Sequence, residues 1–126
     1  MRGIIFSDGH VGEYPEGWQD DGLNSRLKDT LDIWTWVRDL AIERKADFVL
    51  FGGDRFKPHR PPAWMRDLAD ARMADFRDAG IRLSCLRGNH DMYDKTGKWS
   101  SYGGVRVWND ADSGIGVYDE PCIKHM

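Results

Sequence analysis

The residues best suited to chemistry lie in three short polar clusters. The clusters are Ser7-Asp8-Gly9-His10, Gly52-Gly53-Asp54-Arg55 and Gly88-Asn89-His90-Asp91. Each one follows an apolar run that predicts a buried β-strand. In an open α/β sheet the carboxyl ends of the strands point into one crevice, so clusters that are distant in sequence can meet there. The sequence therefore predicts one shared site.

The ligand chemistry of the clusters indicates a divalent metal ion. Asp8 and Asp54 offer carboxylates, Asn89 offers an amide oxygen and His10 offers an imidazole. These donors suit Mn²⁺, Fe, Zn²⁺ or Mg²⁺, and no thiolate lies among them to favour a closed structural zinc site. The neighbouring glycines are expected to provide a positive φ or a close approach of the backbone to an ion. They are Gly9, Gly52, Gly53 and Gly88.

Each cluster alone is a weak signal. An Asp after a strand often only caps a turn, His10 could be a surface side chain, and a Gly-Asn turn accounts for Gly88 and Asn89 without any ligand. Three ligand-competent clusters, each at the end of a predicted strand, favour a common metal site over coincidence.

The segments between the clusters predict the elements that position them. Residues 3–6, 48–51 and 81–86 are predicted strands, and the first is expected to be central and buried on both faces. Residues 11–23 are predicted to be a surface loop.

Two amphipathic helices are expected between the strands. The first is capped by Asn24, and the second starts near Pro62 and ends before Gly80. Their predicted inner faces are Leu27, Leu31, Trp34, Val37 and Ala41 in the first helix, and Met65, Leu68, Ala69, Met73 and Phe76 in the second.

The order β-α-β-α-β predicts an α/β fold with a mostly parallel sheet and right-handed crossovers. After His90 the pattern weakens, and residues 105–108 and 115–118 are candidates for short strands. A length of 126 residues suits one domain, so residues 1–126 are expected to form a single domain.

Composition narrows the class of protein. Hydrophobic residues make up 40% of the chain, which favours a packed globule over a disordered chain. The net charge of −3 gives no global basic field, so attraction to nucleic acid would need a local patch or bound metal ions. Cys85 lies in an apolar run and is expected to be a buried thiol rather than half of a disulfide with Cys122. Without an apolar run long enough to span a bilayer or a secretory leader, a cytoplasmic protein without membrane contact is expected.

At these strand ends, Asp8-x-His10, Gly53-Asp54 and Gly88-Asn89-His90-Asp91 resemble the first three motifs of the calcineurin-like metallophosphoesterases. The resemblance implies a layered fold of two sheets flanked by helices, of which residues 3–92 would form the N-terminal half, so that the domain is expected to be incomplete. Within the superfamily, the chain is most similar to the SbcD-type nuclease subunit of bacterial and phage DNA break-processing complexes. The residues that carry this similarity are Asn24-x-Arg26, Asp47 and Gly53-Asp54-x-Phe56 followed by Pro61-Pro62.

The resemblance implies a site for two divalent ions, with Mn²⁺ the expected metal and Fe, Zn²⁺ or Mg²⁺ as alternatives. It implies that Asp8 and His10 bind one ion, that Asp54 bridges both and that Asn89 binds the second. Electrostatics also requires a shared carboxylate, because two cations ~3.5–4 Å apart repel strongly without an anionic ligand between them. The implied reaction is hydrolysis of a phosphate ester by metal-activated water, with His90 donating a proton to the leaving oxygen.

The sequence departs from the SbcD pattern at Lys57, where these nucleases commonly carry an acidic residue or a histidine. Arg55, Lys57 and Arg60 are candidates for contact with substrate phosphates, because DNA is a polyanion. A solvated loop is an equally good interpretation of the same residues.

A second departure concerns the histidines with which the family completes its metal site. The sequence contains no Gly-His-x-His motif, and His59 and His125 are expected to be surface residues. Lower metal affinity is expected as a result. The same missing region would dock an SbcC-type ATPase, so this partner, possible for a longer protein, is not supported by the sequence. The oligomeric state stays open.

Three functions stay open at this point. The favoured one is a metal-dependent phosphodiesterase, a DNA exonuclease or endonuclease of the SbcD type. A catalytically impaired binding module of the same fold is the second, and a phosphatase or nucleotide phosphodiesterase is the third. A pure scaffold has no physical need for the whole set of retained residues, which favours an enzyme. The set is Asp8, His10, Asp54, Asn89 and His90.

Overall fold

The computed structural model describes residues 1–20, 22–58, 60–86 and 115–118. The strands in these ranges are β1 (Gly3–Phe6), β2 (Gln19–Asp20), β3 (Leu23–Asn24), β4 (Phe48–Phe51), β5 (Arg82–Leu86) and β6 (Ile115–Tyr118), and the helices are α1 (Ser25–Glu43) and α2 (Ala63–Asp78). The predictions for residues 105–108, Cys122 and His125 fall outside the described residues.

The described sheet is parallel throughout, which confirms the predicted α/β fold. Its strand order is β1-β4-β5-β6, and β2 and β3 form a separate antiparallel pair. Gly3 to Phe6 pair in register with Phe48 to Phe51, and these pair in turn with Arg82 to Cys85. This register brings the carboxyl ends of β1, β4 and β5 to one edge of the sheet.

Helix α1 begins where the sequence predicts. The Asn24 side chain accepts hydrogen bonds from the backbone N–H groups of Arg26 and Leu27, which satisfies two donors that the helix leaves unpaired. All five apolar residues of the predicted inner face are buried. The helix ends at Arg44, and Lys45 then takes a φ of 53°.

Helix α2 follows Pro62, whose fixed φ suits a helix start. Met65, Ala69, Met73 and Phe76 are buried, and Leu68 packs against them while partly exposed. Gly80 takes a φ of 74°, as expected for the residue that ends a helix in the left-handed conformation.

Both helices cover the same face of the sheet. Alternate residues of β4 and β5 point toward them and join one apolar cluster with their inner faces: Val49, Phe51, Leu83 and Cys85. Trp34 lies at its centre, with its ring 4.9 Å from that of Phe6 and 4.6 Å from that of Phe51. Cys85 is buried, as predicted.

Two sequence predictions are wrong. Among the described strands β1 pairs only with β4 and therefore lies at an edge, and Ile5 is 75% exposed instead of buried. An apolar tetrapeptide does not reveal whether both of its neighbours are present. Residues 11–23 are also more than a surface loop, because Val11 is fully buried beside Phe56 and residues 19–24 include the β2–β3 pair.

Neither of the helices in the described part of the chain is long and apolar enough to cross a membrane.

Candidate metal centre

Two loops continue the pairing of β1 and β4 beyond the strand ends. We refer to residues 7–11 and 52–57 as the paired loops. Backbone N–H groups of the first loop donate to carbonyls of the second: Asp8 to Gly53 at 3.2 Å, His10 to Asp54 at 3.1 Å and Val11 to Arg55 at 2.8 Å. Lys57 N–H donates back to the Val11 carbonyl at 2.8 Å. The position of one loop therefore determines the position of the other.

The paired loops bring Asp8, His10 and Asp54 together. Potential ligand atoms of the three side chains all lie within 4.8 Å of one another. His10 Nε2 is 3.5 Å from Asp8 Oδ1, and the two side chains are 39% and 67% exposed. Three of the predicted site residues therefore form one group that is open to solvent.

The backbone of all three residues is in the left-handed region. The φ angles are 56° for Asp8, 43° for His10 and 58° for Asp54. Among the described non-glycine residues only Lys45, directly after α1, shares this feature. Such conformations persist where the surrounding structure enforces them, and they concentrate at functional sites.

The flanking glycines bear out the predicted role at Gly53 but not at Gly9 and Gly52. Of the three flanking glycines that the structure describes, only Gly53 takes a positive φ, of 111°, and Gly88 lies outside the described residues. A Cβ at Gly52 would lie 2.7 Å from Ser7 Oγ, and one at Gly9 would lie 3.3 Å from Trp34 Nε1. Gly9 and Gly52 therefore permit close packing within the protein, while the candidate ligands themselves adopt the unusual φ.

A second network supports the loop that contains His10. Tyr14 Oη donates to the His10 carbonyl at 2.7 Å. The Asn24 side chain accepts from the Tyr14 N–H at 3.3 Å and donates to the Tyr14 carbonyl at 3.0 Å. Burial raises the pKa of the Tyr14 phenol, an effect that the nearby Arg26 charge opposes and Glu16 reinforces. The residue that caps α1 thus also fixes the loop beside His10.

Lys57 is exposed next to this network. Its ammonium lies 4.0 Å from the centre of the Tyr14 ring and donates to the Glu13 carbonyl at 3.0 Å. Arg60 is exposed as well. Both side chains are therefore accessible to a ligand in solution.

Arg55 differs from both, because its side chain is 0% exposed. Its guanidinium pairs with Asp70 of α2 and lies 4.5 Å above the Phe56 ring. The expectation that Arg55 meets substrate phosphates does not fit this position, since a fully buried guanidinium cannot reach a ligand in solution. The sequence carries no local signal for this burial, because its partner lies 15 residues away.

Asn89 and His90, the other two predicted site residues, lie outside the described residues, as does His59.

The described residues fit a divalent metal ion. Two carboxylates and an imidazole are suitable donors, and an ion held at ~2.0–2.2 Å needs its donors within about 4.4 Å of each other. The ligand atoms of the three side chains lie within 4.8 Å of one another, so binding would require them to approach by at most about 0.4 Å. Further ligands would have to come from Asn89, from water or from other residues.

A parallel sheet with an Asp-His-Asp group at its carboxyl edge is typical of an α/β metalloprotein. Residues 1–123 match the family described as calcineurin-like phosphoesterase. The chain belongs to this family of hydrolases with dinuclear metal sites, which confirms the resemblance drawn from the three motifs.

Relatives with curated names include a DNA double-strand break repair protein and a nuclease subunit. The DNA double-strand break repair protein Mre11 of Sulfolobus acidocaldarius is 31% identical over 91 residues, which cover 72% of this chain and 22% of the relative. The SbcD component of the nuclease SbcCD of Bacillus subtilis is 27% identical over 96 residues, or 75% of this chain and 23% of the relative. The chain thus spans about a quarter of the length of these relatives.

A solved structure supports the fold. The crystal structure of Pseudomonas putida nuclease MPE matches 98% of this chain and 50% of its own, with a TM-score of 0.53 and 20% sequence identity. At this identity the likeness establishes a shared fold. It agrees with the predicted N-terminal half of a metallophosphoesterase.

Proposed function

We propose that the protein is a metal-dependent phosphodiesterase that cleaves DNA, as a nuclease of the SbcD type. The observation that carries the proposal is the convergence of Asp8, His10 and Asp54 within 4.8 Å at the carboxyl edge of the sheet. Membership of the phosphoesterase family and relatives named as a nuclease component and a DNA break repair protein support the choice of substrate. A cytoplasmic location accords with such a substrate.

In this proposal Asp8 and His10 bind one divalent ion, Asp54 is shared between two, and Asn89 binds the second. Mn²⁺ is the proposed metal. Divalent ions at such a site supply Lewis acidity, which activates water and neutralises phosphate charge. The chain's own part is to hold its donors in place before the metal arrives, and the left-handed backbone of the paired loops supports that role.

His90 is proposed to donate a proton to the leaving oxygen, as the third motif of the family resemblance implies. Lys57 and Arg60 are proposed to contact phosphates of the DNA backbone, because both are exposed. Arg55 is removed from this set because it is buried. No described residue supports a docking site for an SbcC-type ATPase, and that partner is left out of the proposal.

An activity assay with Mn²⁺ tests the proposal. The substrates are a generic phosphodiester, single-stranded DNA and double-stranded DNA. We expect cleavage of DNA by the wild-type chain, loss of cleavage in Asp54→Asn, and a larger drop in turnover than in metal occupancy in His90→Ala. The matched control is Asp78→Asn, which makes the same change at an exposed residue of α2.

Cleavage that survives Asp54→Asn would contradict the proposed site, and activity confined to nucleotides or phosphoproteins would contradict the proposed substrate. A binding module of the same fold stays the second candidate. That candidate requires DNA binding without cleavage and without dependence on Mn²⁺.

A further inference from the structure

Arg55 carries a charge in the interior of the protein, directly beside the candidate ligand Asp54. Its Nη1 donates to Asp70 Oδ1 at 2.5 Å and contacts Met73 Sδ at 2.9 Å. The guanidinium also lies over the Phe56 ring. A buried charge is costly unless it is paired, so this side chain has one favourable location, against α2.

The backbone of Arg55 is part of the paired loops. Its carbonyl accepts the Val11 N–H, and the Asp54 carbonyl accepts the His10 N–H. The Arg55 side chain then connects these loops to the second turn of α2, where Asp70 is 38% exposed and Arg55 is fully buried. Arg55 thus connects the 52–57 loop to α2 through an ion pair.

An anchor stabilises Asp54 because its φ of 58° lies in the left-handed region, which costs an L-residue free energy, although less for Asp than for most residues. A left-handed residue keeps its conformation when the chain on both sides of it is restrained. On one side Gly53 is restrained by its bond to Asp8 and by pairing of the preceding strand. On the other side the restraints are the backbone bonds to the 7–11 loop and the ion pair of the Arg55 side chain, which alone of these reaches α2.

We propose that the Arg55–Asp70 pair is a positioning device that holds Asp54 in its left-handed conformation and so sets the metal affinity of the site. Arg55 does not touch the metal or the substrate and acts through the backbone of its neighbour. The inference rests on the proposed function, because it assumes that Asp54 is a metal ligand.

The test is Arg55→Met, measured by calorimetric titration with Mn²⁺ and by urea unfolding without metal. Methionine fills most of the buried volume beside Met73, and Asp70 is exposed enough to be solvated, so we expect a small change in the unfolding midpoint. We expect Mn²⁺ affinity to fall about tenfold or more, the size found when groups that orient metal ligands are removed.

The matched control is Arg38→Met. Arg38 of α1 also pairs with a carboxylate of α2, Asp75, at 3.6 Å, but it lies outside the paired loops. We expect wild-type Mn²⁺ affinity in this variant, whatever its stability. Equal losses of affinity in the two variants would overturn the proposal, because the effect would then come from general destabilisation.

Two more readouts separate positioning from a structural role. Arg55→Lys keeps the charge and is expected to restore part of the affinity lost in Arg55→Met. At saturating Co²⁺, the visible absorption bands of Arg55→Met are expected to differ from those of the wild type, because the bands report coordination geometry. Should Arg55→Met fail to fold, Asp70→Asn removes the other partner from an exposed position, and the same fall in affinity is expected.

The outcomes separate this inference from the proposed function. If the wild-type chain binds Mn²⁺ through Asp54 and the folded Arg55 variants bind it equally well with unchanged Co²⁺ spectra, the positioning role is wrong and the metal site stands. If the wild-type chain binds no Mn²⁺, the proposed function fails first.

Discussion

The paired loops and the helix-covered side of the sheet follow opposite physical rules. Around Trp34 the structure is apolar and tightly packed, and its neighbours Phe6, Phe51 and Phe76 lie with ring centres 4.6 to 6.4 Å away. In the paired loops the candidate ligands Asp8, His10 and Asp54 have polar side chains that are exposed at least in part, and all three adopt a left-handed backbone.

The contrast shows that one region stabilises the fold and that the other contains residues whose backbone conformation opposes folding. Burial of large side chains stabilises the layer of α1, α2 and the sheet. The left-handed residues oppose folding by about 1–3 kcal/mol each at most, and less for Asp and His, which tolerate this region. The loops can keep a strained arrangement because the packed layer fixes the strand ends from which they start.

The largest expected effect is on the packed side. Trp34→Ala removes a side chain that is 1% exposed, and such a truncation costs ~3–5 kcal/mol. Urea unfolding should detect a large shift of the midpoint, and most of the loss should be recovered in Trp34→Phe. A stability within error of the wild type would mean that the aromatic cluster does not carry the fold.

The second prediction concerns Asn24, which contacts both regions because it caps α1 and bonds Tyr14 beside the paired loops. Asn24→Ala removes both the cap of α1 and the two hydrogen bonds to Tyr14, and loss of a cap alone costs ~0.5–2 kcal/mol. Asn24→Ser retains a capping oxygen but not the amide donor, so its unfolding midpoint should lie between those of the wild type and Asn24→Ala. Equal midpoints for Ser and Ala would show that the cap contributes nothing.

The third prediction concerns the free energy of unfolding of two variants at Asp54, where the more flexible residue is expected to give the more stable protein. Replacing Asp54 by Gly and by Ala separates the backbone from the side chain, and Gly should be more stable than Ala by about 1 kcal/mol without metal. The control is the same pair at Lys45, which has a similar φ of 53° away from the site. We expect the same difference there with no loss of Mn²⁺ binding. No difference at Asp54 would mean that the loop is unstrained in solution.

The smallest effect concerns pH. Tyr14→Phe removes one hydrogen bond and should cost ~0.5–1.5 kcal/mol at neutral pH. Because burial raises the pKa of Tyr14, the unfolded chain releases this proton at a lower pH than the native protein. Stability should therefore be unaffected by this group below the normal phenol range and fall as the pH rises through it, until the native phenol also ionises. Unfolding curves from pH 8 to 11 should show a weaker fall in the Phe variant.

The packed side was predictable from sequence because its signals are local. Helical spacing identified the inner faces of α1 and α2, and Asn24 and Gly80 marked helix ends by known side-chain and backbone preferences. The edge position of β1 among the described strands was not predictable, because strand order depends on contacts between distant segments.

For the candidate site, the sequence predicted which of the described residues lie together but not how the protein holds them there. The grouping of Asp8, His10 and Asp54 followed from their positions at strand ends. The burial of Arg55 did not, because an arginine within a basic stretch normally faces solvent, and only the later Asp70 explains it. The neighbouring glycines predicted a positive φ at their own positions, which Gly53 adopts, but no sequence signal indicated one at Asp8, His10 and Asp54.

The most direct test of the account is a calorimetric titration of the wild-type chain and Asp54→Asn with Mn²⁺. The account predicts a saturable site in the wild type and an affinity that is lower by about tenfold or more in the variant, with little change in metal-free stability. Equal Mn²⁺ binding by the two proteins, or no binding by either, would contradict the claim that the paired loops form a metal site.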